Sequence, residues 1–156
     1  MLTANIYYIP FLVGADVGSR GDDACSRVGW LLPAHVVAGG KVLLADMTTE
    51  ALTLLYPGGV PLTRSGRIHS LAQLRRELAD VRRCGYARNV GEAVDGVRAV
   101  AMAIPTPPGS RRFAISAGWS DKTAALHSEQ EIVAALHAAA LEIARALTGE
   151  PLQRAS

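Results

Sequence analysis

The chain has 156 residues with a formal net charge of +2; 49% of the residues are hydrophobic and 19% charged. That is enough chain for one domain with its own core, and it is too apolar to stay disordered. Its scattered basic residues exclude a free-standing nucleic-acid binder with a concentrated cationic face, and its two distant cysteines, Cys25 and Cys84, exclude a disulfide scaffold and fit a reducing compartment.

The first segment, MLTANIYYIPFLVG, has no basic leader, and Asn5 and Pro10 interrupt its apolar run. It reads as a strand over Ala4 to Val13 and not as a signal peptide. No apolar run nears the ~20 residues of a membrane span, so a cytoplasmic domain without membrane contact is expected. Gly14 to Asp23 is a Gly-rich polar connection, and Ala24 to Leu31 is a second candidate strand.

The stretch LPAHVVAGGKVLLA, Leu32 to Ala45, begins extended, passes through the small residues Ala38, Gly39 and Gly40, and becomes a short helix ending near Ala45. The first N–H groups of a helix lack intrahelical partners and sit at its positive end, a natural receptor for a carboxylate. Two glycines there also permit close packing on a sheet. Both readings stay open on these residues alone.

Thr48 predicts the N-cap of a second helix, with Glu50 in its first turn and Leu52 and Leu55 facing inward, ended by Tyr56-Pro57-Gly58-Gly59. Pro61 to His69 is a linking loop. Ser70, with Gln73 three residues on, predicts a third helix carrying the apolar stripe Leu71, Leu74, Leu78 and Val81 and stopped by Gly85. Tyr86 to Val90 predicts a short strand. Val97 to Ile104 and Arg111 to Trp119, joined by Pro105 to Gly109, predict an antiparallel hairpin. Ser128, with Glu131, opens a last helix that runs through Ile132, Leu136, Ile143 and Leu147, with alanines between, and ends at Gly149 and Pro151. The order predicts an α+β domain over residues 1–150, an antiparallel sheet flanked by helices, with a tail over 151–156.

Side chains alternate across a strand. Val97, Ala99, Ala101 and Ala103 therefore share one face of the first hairpin strand, and Ala114, Ser116 and Gly118 one face of the second. Packed cores fill such space with larger groups. Either a helix lies unusually close to these small faces, or they line a pocket with Ser116 as its hydroxyl.

The segments LPAHVVAGGKVLLA, SLAQLRRELADVRRCGYA, GYARNVGEAVDGVRAVAMAI and FAISAGW, in that order, resemble the C-terminal effector-binding domain of IclR-type bacterial transcriptional regulators. The resemblance covers about Arg27 to Gly149 and implies a GAF- or profilin-like α+β fold. It implies a regulator domain that senses a small organic or aromatic acid, without enzymatic activity or cofactor, and assembles as a homodimer or tetramer. The ligand positions it implies are Ala38, Gly39, Asn89, Val97, Ala99, Ser116 and Gly118, to which the free N–H groups of the helix start add Gly40. Departures from the pattern are Asn89 where Asp is frequent, Ala99 where Cys is frequent, Gly118 where Ser is frequent and Trp119 where Gly is frequent. These make the site less polar. The family's N-terminal winged helix-turn-helix is not found ahead of Ala4, so DNA binding is expected only through a domain absent from this chain. The alternative is a stand-alone dimerisation or sensor module with a vestigial pocket and no role at DNA.

Other chemistries fit poorly. AISAG around Ser116 lacks the glycine of a nucleophile elbow, and Gly39-Gly40-Lys41 is followed by Val42 where a phosphate-binding loop has Ser or Thr. His35, His69, His127 and His137 show no metal-ligand spacing, so no metal is expected.

Overall fold

The computed structural model describes residues 32–62, 68, 70–121 and 128–149. The strands expected over Ala4 to Val13 and Ala24 to Leu31, and the tail from residue 151, lie outside the described residues.

A short 3-10 turn, Ala34–Val36, leads through extended Val37 into helix α1, Ala38–Ala45. The glycines thus already belong to the first helical turn. Helix α2, Thr49–Leu55, starts at Thr48, whose hydroxyl accepts from the Ala51 N–H at 3.2 Å, and buries Leu52 and Leu55. Helix α3, Leu71–Cys84, is capped by Ser70, buries Leu74, Leu78 and Val81, and ends at Gly85 with φ of 82°. Only a residue without a Cβ takes that left-handed turn at no steric cost.

Strands β1 (Ala87–Val90), β2 (Val97–Ile104) and β3 (Phe113–Ser120) form an antiparallel sheet in the order β1-β2-β3. Helix α4, Glu129–Thr148, opens with a complete capping box between Ser128 and Glu131. The fold is α+β, and every element from Ala38 onward has the expected type.

The register pairs Ala99 with Gly118, Ala101 with Ser116 and Ala103 with Ala114, so the two small-residue faces coincide. Helices α1 and α3 pack on that side, with Ala87 and Ala101 buried in a core shared with Val42, Leu74 and Leu78. The opposite side carries Val100, Met102 and Ile104, which pack with Ile115 and Trp119 against Leu136 and Ala140 of α4. Side-chain size therefore sorts by face: small groups admit α1 closely, and large ones fill the gap beneath α4.

Two strand starts differ from expectation. The first strand begins at Ala87, one residue after Tyr86. The returning strand begins at Phe113, because Pro105, Pro107 and Pro108 lack N–H donors and a turn closed by Ser110 N–H on the Pro107 carbonyl delays pairing. Leu147, on the last turn of α4, is 55% exposed and lines a crevice with Phe113 and Thr106.

Candidate functional site

The row Asn89, Ala99 and Gly118 runs straight across the three strands. The next row holds Ala87, Ala101 and Ser116, and on the other side Val97 pairs with Ser120. Asn89 reaches from this row to the chain just before α1, where its Nδ2 donates to the Val36 carbonyl at 2.7 Å. The fold thereby brings the start of α1 beside Asn89, and it places Val97, Ala99, Ser116 and Gly118 on the same side of the sheet.

The packing divides that face. Ala38 and Gly40 are buried, and Ala87 and Ala101 lie sealed under the helices. Val97 and Ala99 are half-buried, while Ser116 and Gly118 are exposed. A Cβ built on Gly118 would meet nothing closer than the Arg98 carbonyl at 3.5 Å, an ordinary contact. The small residues therefore serve close packing on β1 and in the middle of β2 and leave an open floor along β3.

Gly40 belongs to the packing. A Cβ there would lie 2.2 Å from the Ala34 carbonyl oxygen and 2.6 Å from its Cα. The missing side chain lets α1 touch the preceding 3-10 turn. Val37, the N-cap of α1, supplies no side-chain hydrogen bond to the first turn, and Gly39 is half-buried between buried Ala38 and Gly40.

Beneath that start lies a cluster that sequence reasoning did not assign. Lys41 is completely buried, and its Nζ donates to Glu77 Oε1 at 2.5 Å, Glu92 Oε2 at 2.6 Å and the Arg88 carbonyl at 3.0 Å. All three ammonium donors are used, as a cation taken from water requires. Glu92 is itself buried, whereas the Glu77 side chain is 39% exposed. The signal was in the sequence: a lysine after two glycines on an apolar helix, and a glutamate in a turn bounded by Gly91 and Gly96.

His35, also buried, holds the Pro61 carbonyl through Nε2 at 3.1 Å, and its ring meets Tyr56 edge-on. Burial is the main force pushing its pKa below the ordinary histidine value. The Pro61 hydrogen bond opposes this, and the Lys41 charge adds to it. At the other end of α1, Arg82 Nε of α3 donates to the Ala45 carbonyl at 2.6 Å, where the helix dipole favours a cation.

Among the described residues, no group of three or more His, Cys, Asp or Glu side chains could hold a metal ion, and no helix is long and apolar enough to cross a membrane. Cys84, exposed at the end of α3, lines a crevice with Glu77, Asp80 and Arg88, away from the small-residue face. The face itself offers the hydroxyls of Ser116 and Ser120 on an otherwise mainly apolar floor. Among the described residues, that face carries no titratable side chain placed for general acid or base work.

The model of the bacterial transcriptional regulator IclR C-terminal family matches residues 17–145. The transcriptional repressor AllR of Klebsiella pneumoniae is 33% identical over 93 residues, which span 59% of this chain and 34% of AllR. The chain thus matches about a third of that relative's length. The C-terminal domain of the Escherichia coli transcriptional regulator KdgR superposes with a TM-score of 0.64 at 28% identity, covering 75% of this chain and 72% of that one. An IclR homolog from Microbacterium hydrocarbonoxydans, solved in complex with 4-hydroxybenzoate, superposes with a TM-score of 0.68 at 26% identity, covering 83% and 53% respectively.

Proposed function

The chain belongs to the bacterial transcriptional regulator IclR C-terminal family, and from that premise we propose that it is the effector-binding domain of a cytoplasmic regulator that senses a small organic or aromatic acid. The ligand lies on the open part of the small-residue face. Its carboxylate meets the backbone amides at Ala38 and Gly39, and its body rests on Val97, Ala99, Ser116 and Gly118. Gly40 shapes the helix start without touching the ligand, and Asn89 stands at the edge of the same floor. The observation that carries this reading is the coincidence of the uncovered small residues of β2 and β3 with a helix start that no side chain caps. Helix N-termini favour anions, and mainly apolar sites with a few convergent polar groups are the usual form of ligand pockets. The 4-hydroxybenzoate bound to the Microbacterium relative supports the same class of ligand.

The domain works within a longer regulator that contacts DNA through a separate winged helix-turn-helix and assembles as a homodimer or tetramer. It is not an enzyme. The test is thermal denaturation with a panel of monocarboxylates that includes 4-hydroxybenzoate. A ligand near a hundredfold over its Kd stabilises the folded state by about 2.7 kcal/mol. Ser116→Leu, which places a bulky group on the floor, abolishes the shift without unfolding the domain. A shift retained in Ser116→Leu would move the site elsewhere. No shift with any acid would favour the second reading, a dimerisation module with a vestigial pocket, for which the close packing at Gly40 is the supporting observation.

A further inference from the structure

We infer that Asn89 is a positioning residue: its side-chain amide is a latch that holds the start of α1 against β1, and it does not itself bind the ligand. Asn89 is 5% exposed. Its Nδ2 donates to the Val36 carbonyl at 2.7 Å, and its Oδ1 accepts from the Glu92 N–H at 3.0 Å. One partner is an acceptor and the other a donor, so only this orientation of the amide satisfies both. The side chain is thereby committed to the protein at both ends.

The two partners give the latch its meaning. Val36 closes the 3-10 turn that ends where α1 begins, and the Cα of Gly40 packs against Ala34 of that same turn. Glu92 is the residue whose carboxylate meets Lys41 of α1. A chain of contacts thus runs from Val36 through Asn89 to Glu92 and on to Lys41, closing a ring around the first turn of the helix. Both sides of the helix start are pinned by this ring, one through its preceding turn and one through its first lysine. A ligand that uses the amides at Ala38 and Gly39 meets a backbone already fixed in place, which lowers the ordering cost of binding. An ionised aspartate in place of Asn89 would have no hydrogen to offer the Val36 carbonyl.

The inference rests on the ligand site proposed above only in its second arm, so the two can fail separately. The experiment is heteronuclear NMR on the 15N-labelled chain. The Asn89 side-chain NH2 resonances are assigned by their disappearance in Asn89→Asp, and exposed Gln130 serves as the internal reference. In the first arm, without ligand, the Asn89 NH2 exchanges with solvent at least tenfold more slowly than that of Gln130. The backbone amides of residues 37–40 exchange faster in Asn89→Ala and Asn89→Asp than in the parent chain. In the second arm, titration with 4-hydroxybenzoate moves the amide resonances of Ala38 and Gly39 and leaves the Asn89 NH2 in place.

Exchange of the Asn89 NH2 at the Gln130 rate, or unchanged exchange at residues 37–40 in both variants, overturns the latch. A shift of the Asn89 NH2 as large as those of Ala38 and Gly39 on titration overturns its exclusion from the ligand. If 4-hydroxybenzoate moves no resonance, the first arm alone decides, and a protected Asn89 upholds the latch while the choice of acid fails.

Discussion

Replacing Lys41 by methionine tests whether the buried charge cluster holds the helix start in place. Methionine keeps most of the volume and removes the cation. The structure sets what is then left behind. Glu92, 4% exposed, loses its ion pair with Lys41, and the Arg88 carbonyl loses the ammonium it accepted from. Glu77, 39% exposed, can turn its carboxylate to solvent and adds little. Removing one partner of a buried pair typically costs about 3–5 kcal/mol. Domains are stable by only about 5–15 kcal/mol, so Lys41→Met removes a large share of the total. The double variant Lys41→Met/Glu92→Gln is less destabilised than Lys41→Met, because the buried carboxylate that faced Lys41 is neutralised as well, and the cycle gives a coupling energy of about 1–3 kcal/mol. Urea denaturation of the parent chain, the two single variants and the double variant measures this through the midpoints at constant m. A cost below about 1 kcal/mol for Lys41→Met, or additive effects in the cycle, would refute the reasoning.

The two glycines of the face separate by the same logic. Gly40→Ala forces a Cβ onto the backbone of Ala34 and costs about 1–3 kcal/mol or more, whereas Gly118→Ala meets only ordinary contacts and leaves the melting temperature nearly unchanged. His35 gives a pH dependence. Its folded pKa lies below the unfolded value, so the unfolded chain binds the extra proton, and its contribution to stability is complete above about pH 6.5 and declines as pH falls toward the folded value. Comparing chemical denaturation of the parent chain and His35→Gln from pH 7.5 to 5.5 isolates this slope, and equal slopes would exclude His35 as its source. Ser116→Leu, on an exposed position, leaves the urea midpoint within about 0.5 kcal/mol of the parent and acts only on ligand binding.

Helix ends were the most legible features, because local chemistry fixes them: Thr48, Ser70 and Ser128 cap as their side chains predict, and Gly85 and Gly149 take the left-handed turns that end α3 and α4. Strand alternation gave the two faces of the hairpin, and the register made the small ones coincide. The glycine pair left two readings standing, and only the distance from Gly40 to Ala34 assigns Gly40 to packing. Asn89 and Lys41 hid for a related reason. A latch or a buried ion pair is defined by partners remote in sequence, and no periodicity announces them. The departure at Asn89 was visible as a missing negative charge, while the amide's donation to Val36 was not.

The Lys41 cluster also bears on the order of assembly. Its carboxylates come from positions 36 and 51 residues further along the chain. Closing such long loops precedes any reward from the contact, so the three charges meet only after α3 and the β1–β2 turn are docked. Energy gained that late is absent from the folding transition state, and a low-φ contact acts on the rate of escape from the native state. The cluster therefore works as a kinetic lock: in stopped-flow measurements its loss appears as faster unfolding at an almost unchanged folding rate.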